Sequence, residues 1–324
     1  MNFFNLKILN PNMQTYQNPR EVYGKTLLAV ARENPDIVVL DADLCKSTMT
    51  CLIEEELPDQ YFEMGIGEQN MMSIAGGLAL TGKIAFVNSF AIFLTSRAFD
   101  QVRQAIGITG LNVKIIGSSA GLSDAGDGST HQTVEDIAIM RAIPGMVVIA
   151  PSDAGQLAAA IHAIKNYHGP VYLRYSRNNM VDVHPYGQPF HIGKVYPVRE
   201  GRDVAIFSSG DLLSRVLNVA DRLNAMGVSV KVADVPTIKP LDRNAIIAHA
   251  RQTGAVVTVE EHSIMGGFGS AIAEAIRLEK IPVEFVGIND VYGTSAKEHS
   301  DLLEHYGLTE ENIEKAIHNV LKLK

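Results

Sequence analysis

The stretch Ile84-Ala-Phe-Val-Asn-Ser-Phe90, followed after a helical segment by Val113-Lys-Ile-Ile116, decides the fold. Both read as strands, and farther upstream the continuous apolar run Ile37-Val-Val-Leu40 fits a strand buried on both faces. The intervening residues 93–108 read as a helix. The same alternation extends outward in both directions. Runs at 37–40, 61–64, 146–150 and 171–175 read as strands, and segments 68–81, 134–141 and 153–166 as helices. Pro19 opens a further helix at the position where its missing N–H costs nothing. Strand–helix alternation of this kind implies a parallel sheet covered on both faces.

Residues 182–194 carry Pro185, Gly187, Pro189 and Gly193, and this linker divides the chain. Beyond it the pattern restarts, with strands at 204–207, 228–234, 255–260 and 283–286 and helices at 212–226, 242–252, 268–279 and 309–322. Leu212, Leu213, Val216, Leu217, Ala220 and Leu223 form one apolar stripe. The expected organisation is an N-terminal arm at 1–18, possessing no periodicity, and two α/β domains at 19–181 and 195–324. Each domain is a mostly parallel sheet flanked by helices.

Composition narrows the function. A net charge of −8 with no Lys/Arg cluster argues against a nucleic-acid or anionic-membrane surface. No apolar run reaches the length of a membrane span. The N-terminus is too short and polar for a secretory signal. Two cysteines, Cys45 and Cys51, make neither a disulfide framework nor a zinc site, and a cytoplasmic location is expected.

Ligands of such sheets bind beyond the carboxyl ends of the strands. The segments 41–47, 65–68, 89–93, 117–131 and 175–177 all fall on that rim. Glu68 stands between glycines and an apolar helix. Apolar surroundings favour the neutral form of a carboxyl group, which suits proton sharing with a weak nitrogen base; a first-turn glutamate facing the helix dipole is the plainer reading. Phe90 and Phe93, three apart, could sandwich a flat heteroaromatic ring or simply fill core. Asp127 and His131 lie in a Gly-rich loop, where a histidine can move protons or merely be exposed. Arg177 could clamp a phosphate or form a surface ion pair. Gly126-Asp-Gly128 resembles the start of a magnesium motif of thiamine-diphosphate enzymes, but the Asn expected 25–30 residues on is missing, so that reading is rejected. Gly266-Gly-Phe-Gly-Ser270 is read as a tight turn rather than an anion site.

Taken together, Gly65-Ile-Gly-Glu-Gln-Asn70, Phe90-Ala-Ile-Phe93, Gly126-Asp-Gly-Ser-Thr-His-Gln132, Tyr175-Ser-Arg-Asn178, Thr237-Ile-Lys-Pro-Leu241 and Glu260-Glu-His-Ser-Ile-Met-Gly-Gly267 resemble the transketolase family. The last two are similar to those of 1-deoxyxylulose-5-phosphate synthases and split transketolases. The resemblance covers the pyrimidine-binding and C-terminal domains, not the diphosphate-binding domain. It implies the C-terminal (B) subunit of a split transketolase. An N-terminal (A) subunit would hold the diphosphate and Mg²⁺ of thiamine diphosphate, in an α2β2 heterotetramer.

By the same resemblance Glu68 hydrogen-bonds N1′ of the aminopyrimidine and favours its imino tautomer. Phe90, Phe93 and Ile66 contact the cofactor. A third family aromatic has no clear counterpart, since Ser96, Arg97 and Phe99 all stand near its place. Asp127 and His131 contact the donor ketose, and Arg20, Ser47 and Arg177 hold the substrate phosphate. Asp43 matches a position near the subunit interface whose role stays open. One departure is Ser118-Ser-Ala-Gly121, where transketolases usually have Thr-His-Asp-Ser; Ser119 stands in place of a histidine facing the acceptor. The implied activity is transfer of a two-carbon ketol unit from a phosphoketose to an aldose. The alternatives are the β subunit of a 2-oxoacid dehydrogenase E1, a deoxyxylulose-phosphate synthase-like enzyme, and a non-catalytic scaffold.

Overall fold

The computed structural model describes residues 16–324. The N-terminal arm lies outside them up to residue 15. The chain enters through β1 (Tyr16–Gln17) and α1 (Pro19–Glu33). Asn18 caps α1 by accepting the N–H groups of Arg20 and Glu21, and Pro19 occupies the first turn. β2 (Ile37–Asp41) leads through the short helices α2 (Cys45–Thr48) and α3 (Cys51–Glu56) to β3 (Tyr61–Glu63). Then follow α4 (Glu68–Leu80), β4 (Ile84–Phe90), α5 (Phe99–Gln101) and β5 (Val113–Ser118). The segment expected as one helix over 93–108 is instead broken: widened π turns at Phe93–Arg97 and Val102–Gly107 flank α5. The first half closes with α6 (Asp136–Ala142), β6 (Val147–Ile149), α7 (Ala154–Lys165), β7 (Val171–Arg174) and β8 (Met180–Val181).

The second half begins with β9 (Tyr196–Arg199) and β10 (Val204–Ser208), then α8 (Leu213–Ala225) and β11 (Val230–Asp234). It continues through β12 (Thr237–Lys239), α9 (Arg243–Thr253) and β13 (Val256–Ser263). The chain finishes with α10 (Phe268–Ile276), β14 (Val283–Ile288), α11 (His299–His305) and α12 (Glu310–Lys322). Among the described residues no helix is long and apolar enough to cross a membrane.

The two large sheets are mostly parallel, as the alternation requires, while β1 and β8 form a small antiparallel pair. The first has the order β12-β6-β7-β5-β4-β2-β3 and the second β14-β13-β10-β11-β9. In each, one edge strand is antiparallel: β9 on β11, and β12 on β6. β12 comes from the second half of the chain yet extends the first half's sheet, pairing Thr237 with Ile149 and Lys239 with Val148. The apolar core crosses the same boundary. Ile115, Met140 and Val148 belong to one buried cluster with Phe207, Ile238 and Phe268.

The N-terminus of α10, at the Gly266–Ser270 turn, is capped from within the chain. The buried Glu260 carboxylate accepts the N–H groups of Phe268 at 2.6 Å and Gly269 at 2.8 Å. The first N–H groups of the helix thus already have acceptors from within the chain.

Candidate active site

Glu68 is the first residue of α4, and Gly67 at the cap has no side chain to cover it. The residue is 1% exposed. Its surroundings are not the purely apolar ones expected from sequence. Nη1 of Arg97 lies 2.9 Å from both carboxylate oxygens, so the buried charge has a cation beside it. Arg97 itself is half-exposed, with 47% of its side chain in solvent. Its guanidinium also stacks on Phe93, 4.6 Å from the ring centroid. The π turn Phe93–Arg97 carries both partners of that stack.

Phe90 ends β4, and its ring lies 5.9 Å from that of Phe93 at 15°. His131 sets its edge against both rings, at 6.2 Å from Phe90 and 5.3 Å from Phe93. Arg177, just beyond β7, lies over Phe90 at 5.9 Å. Glu68, Arg97, Phe93, Phe90, His131 and Arg177 therefore form one chain of contacts at the carboxyl edge of the sheet. Sequence reasoning placed five of these residues there; Arg97 it noted only as a position near a missing aromatic.

The remaining expected residues are distributed around this cluster. Asp127 precedes a single turn at Gly128–Thr130 and is exposed. Among the described residues its carboxylate has no hydrogen bond or ion pair. Ile66 is 77% exposed beside Glu68. Arg20 lies in α1, where its charge is felt by the buried Tyr175 hydroxyl. Ser47 lies in α2. Among the described residues no hydrogen bond or ion pair joins Arg20 or Ser47 to Arg177. Instead Arg177 pairs with Asp124, a buried carboxylate 2.6 Å away that sequence reasoning did not single out. Asp43 holds a left-handed conformation at φ 60° and donates its N–H to Glu63. Ser119 is also left-handed, at φ 51°, and its hydroxyl is buried.

Two family models cover the chain: the transketolase pyrimidine-binding domain at residues 16–182 and the transketolase C-terminal domain at 193–313. The chain belongs to the transketolase family. It is 41% identical to a putative transketolase C-terminal section of Methanocaldococcus jannaschii, over 95% of this chain and 97% of that one. It is 39% identical to the 6-deoxy-6-sulfo-D-fructose transketolase subunit SqwH of Clostridium sp. strain MSTE9, over 94% and 95%. Among solved structures it resembles a split-gene transketolase described as an inactive β4 tetramer. The TM-score is 0.86, at 43% identity over 94% of this chain and 98% of that one. These relatives are transketolase subunits or sections with the same two domains, and their family supports a transferase role.

Membership in this family implies dependence on thiamine diphosphate, and the geometry fits the cofactor's aminopyrimidine. Arg97 demonstrates the fit: one flat, nitrogen-bearing group lies on Phe93 and hydrogen-bonds Glu68 together. An aminopyrimidine would use the same aromatic face, with Glu68 then donating a proton to its ring nitrogen rather than accepting one.

Proposed function

We propose that the chain is the pyrimidine-side subunit of a two-subunit transketolase, moving a two-carbon ketol unit from an anionic ketose to an aldose. The observation that carries this reading is the buried Glu68 carboxylate next to the Phe93 ring face, both reached by the half-exposed Arg97. Thiamine diphosphate, when bound, would supply the carbanion chemistry needed to break and form carbon–carbon bonds at the donor carbonyl. Glu68 would hold a proton at the pyrimidine ring, and Phe90, Phe93 and Ile66 would orient that ring. His131, edge-on to both phenyl groups, would move protons at the donor, with Asp127 contacting the donor's hydroxyl groups. Arg177, with Arg20 and Ser47, would supply positive charge and donors for the donor's anionic end. The relative named for 6-deoxy-6-sulfo-D-fructose points to the same kind of substrate, a ketose with an anionic terminus.

The companion would be an N-terminal transketolase subunit that holds Mg²⁺ and the diphosphate, in an α2β2 heterotetramer. Exposed apolar side chains around Glu68 support such a partner: Ile66, Ile74 and Leu80 face solvent on or beside α4. The test is to co-express the chain with a candidate N-terminal transketolase subunit from the same genome. The complex should turn over hydroxypyruvate or a phosphoketose with an aldose acceptor, and neither subunit should do so alone. Ketol transfer by this chain alone would overturn the division of labour. Pyruvate decarboxylation without ketol transfer would favour a 2-oxoacid dehydrogenase role.

A further inference from the structure

We propose that the C-terminal domain positions the loop bearing Asp127 and His131, and that Glu261 is the positioning residue. For catalysis this inference rests on the function proposed above; for structure it stands by itself.

The loop after β5 belongs to the first domain by sequence but is seated on the second. Leu122 and Ala125 are buried in the C-terminal domain's own apolar cluster, together with Leu212, Val259, Ile288 and Leu302. Four hydrogen bonds fix the backbone around that seat. Glu261 Oε1 accepts the Leu122 N–H at 2.6 Å. The Ala296 N–H donates to the Ala125 carbonyl at 2.9 Å. Gln132 Nε2 donates to the Asp124 carbonyl at 2.9 Å and to the Thr294 carbonyl at 3.0 Å, so one side chain ties both ends together. Asp127 and His131 lie between these fastenings.

Glycine makes the close approach possible. A Cβ on Gly121, whose φ is 65°, would collide with the Glu261 carboxylate. At Gly128, φ 75°, it would collide with Ser295. The loop and the C-terminal domain are therefore shaped to each other at both points.

Glu261 is itself held. His299 Nε2 lies 3.1 Å from Glu261 Oε1, and Arg174 donates to the Glu261 carbonyl at 3.3 Å. Asp211 brings a second carboxylate to the group. Asp211, Glu261 and His299 could be taken for metal ligands, but Arg174, paired with Asp136 at 3.1 Å, lines the same small cavity as Asp211 and Glu261. With Asp136 counted, three acids face two bases in the set. Its structural effect is to fix the carboxylate that anchors Leu122.

The experiment measures hydrogen–deuterium exchange of the peptide spanning 119–133 in the full chain, and donor KM in the assembled complex. Glu261→Ala should speed exchange at Leu122 about tenfold, the loss of one buried hydrogen bond. It should also raise donor KM, with thiamine diphosphate binding unchanged because Glu68, Phe90 and Phe93 are untouched. Glu261→Gln keeps an acceptor oxygen for Leu122 and should restore both. Where Glu261→Ala does not fold, Gln132→Ala cuts the Thr294 link instead and should show the same faster exchange. Unchanged exchange in the folded variants overturns the inference. So does faster exchange with an unaltered donor KM in an active complex. A wild-type complex without ketol transfer would sink the proposed function, and the exchange result would still decide the seating of the loop.

Discussion

Arg97 meets Glu68 through a single nitrogen, its Nη1 standing 2.9 Å from each of the two carboxylate oxygens. The acid is buried and the base half-exposed, so the pair is anchored on one side only. Arg97→Ala leaves the carboxylate buried without its cation. The expected cost is about 1–3 kcal/mol, read as a lower denaturant midpoint for the isolated chain. Saturating the assembled complex with thiamine diphosphate should narrow the gap, since the cofactor would then satisfy Glu68. A variant as stable as wild type would show that the pair contributes nothing to holding the acid.

Glu68→Ala should reduce ketol transfer by about 100-fold or more, the usual scale for a lost proton-transfer group. Assembly with the companion subunit, followed by size-exclusion chromatography, should be unaffected. Full activity in the variant would favour the scaffold reading.

Arg177 should govern the hold on the donor's charged end. Arg177→Ala is expected to raise donor KM by about 10- to 100-fold, equivalent to a charge-assisted bond of about 1.5–3 kcal/mol, with kcat little changed. Arg177→Lys should not rescue it. A lysine cannot both pair with Asp124 and lie flat on Phe90. Steady-state kinetics with phosphorylated and unphosphorylated ketoses would separate the charge effect from loop damage, because the latter impairs both substrates.

The Glu261–His299 pair predicts a pH dependence of stability. Burial alone would push His299 down, but the Glu261 carboxylate outweighs it and raises the ring to about 9. Burial would raise Glu261, and His299 more than offsets this, so its carboxyl is lowered. The histidine's share of stability is fully present below its ordinary value of 6.5 and is lost as pH rises through about 9. The glutamate's share is present above its ordinary value of 4.5 and is lost as pH falls through its lowered value. Asp211, Arg174 and Arg215 also act on these groups. The denaturation midpoint should decline from pH 6.5 to 9, and His299→Gln should flatten that decline. An equally steep slope in the variant would assign the titration elsewhere.

Local patterns made much of the architecture readable. The run 113–116 lies wholly buried in β5, and Leu213, Val216, Ala220 and Leu223 do form the inner face of α8. Phe90, Phe93 and His131 were legible as candidates, and the structure brings their rings together. What escaped detection depends on contacts distant in sequence or on an uncommon turn. β12 is three residues long, and its partner lies some ninety positions earlier, so no local alternation marks it. Arg97 reaches Phe93 from within a π turn, whereas the pattern was read with an ordinary helical period. Asp124 carries no signal in the sequence, and Glu261 stands in a family-like motif without a role of its own, because their meaning lies in Arg177 and in a backbone N–H from the other domain.

Strand β12 has a practical consequence for anyone dividing this polypeptide. A fragment cut at the proline- and glycine-rich connector would retain β6 but surrender the ribbon that shields it. Val147–Ile149 would then offer bare amides and carbonyls to the nearest chain, an invitation to aggregate. The sequence reads as two modules, but the molecule is laced shut across the seam.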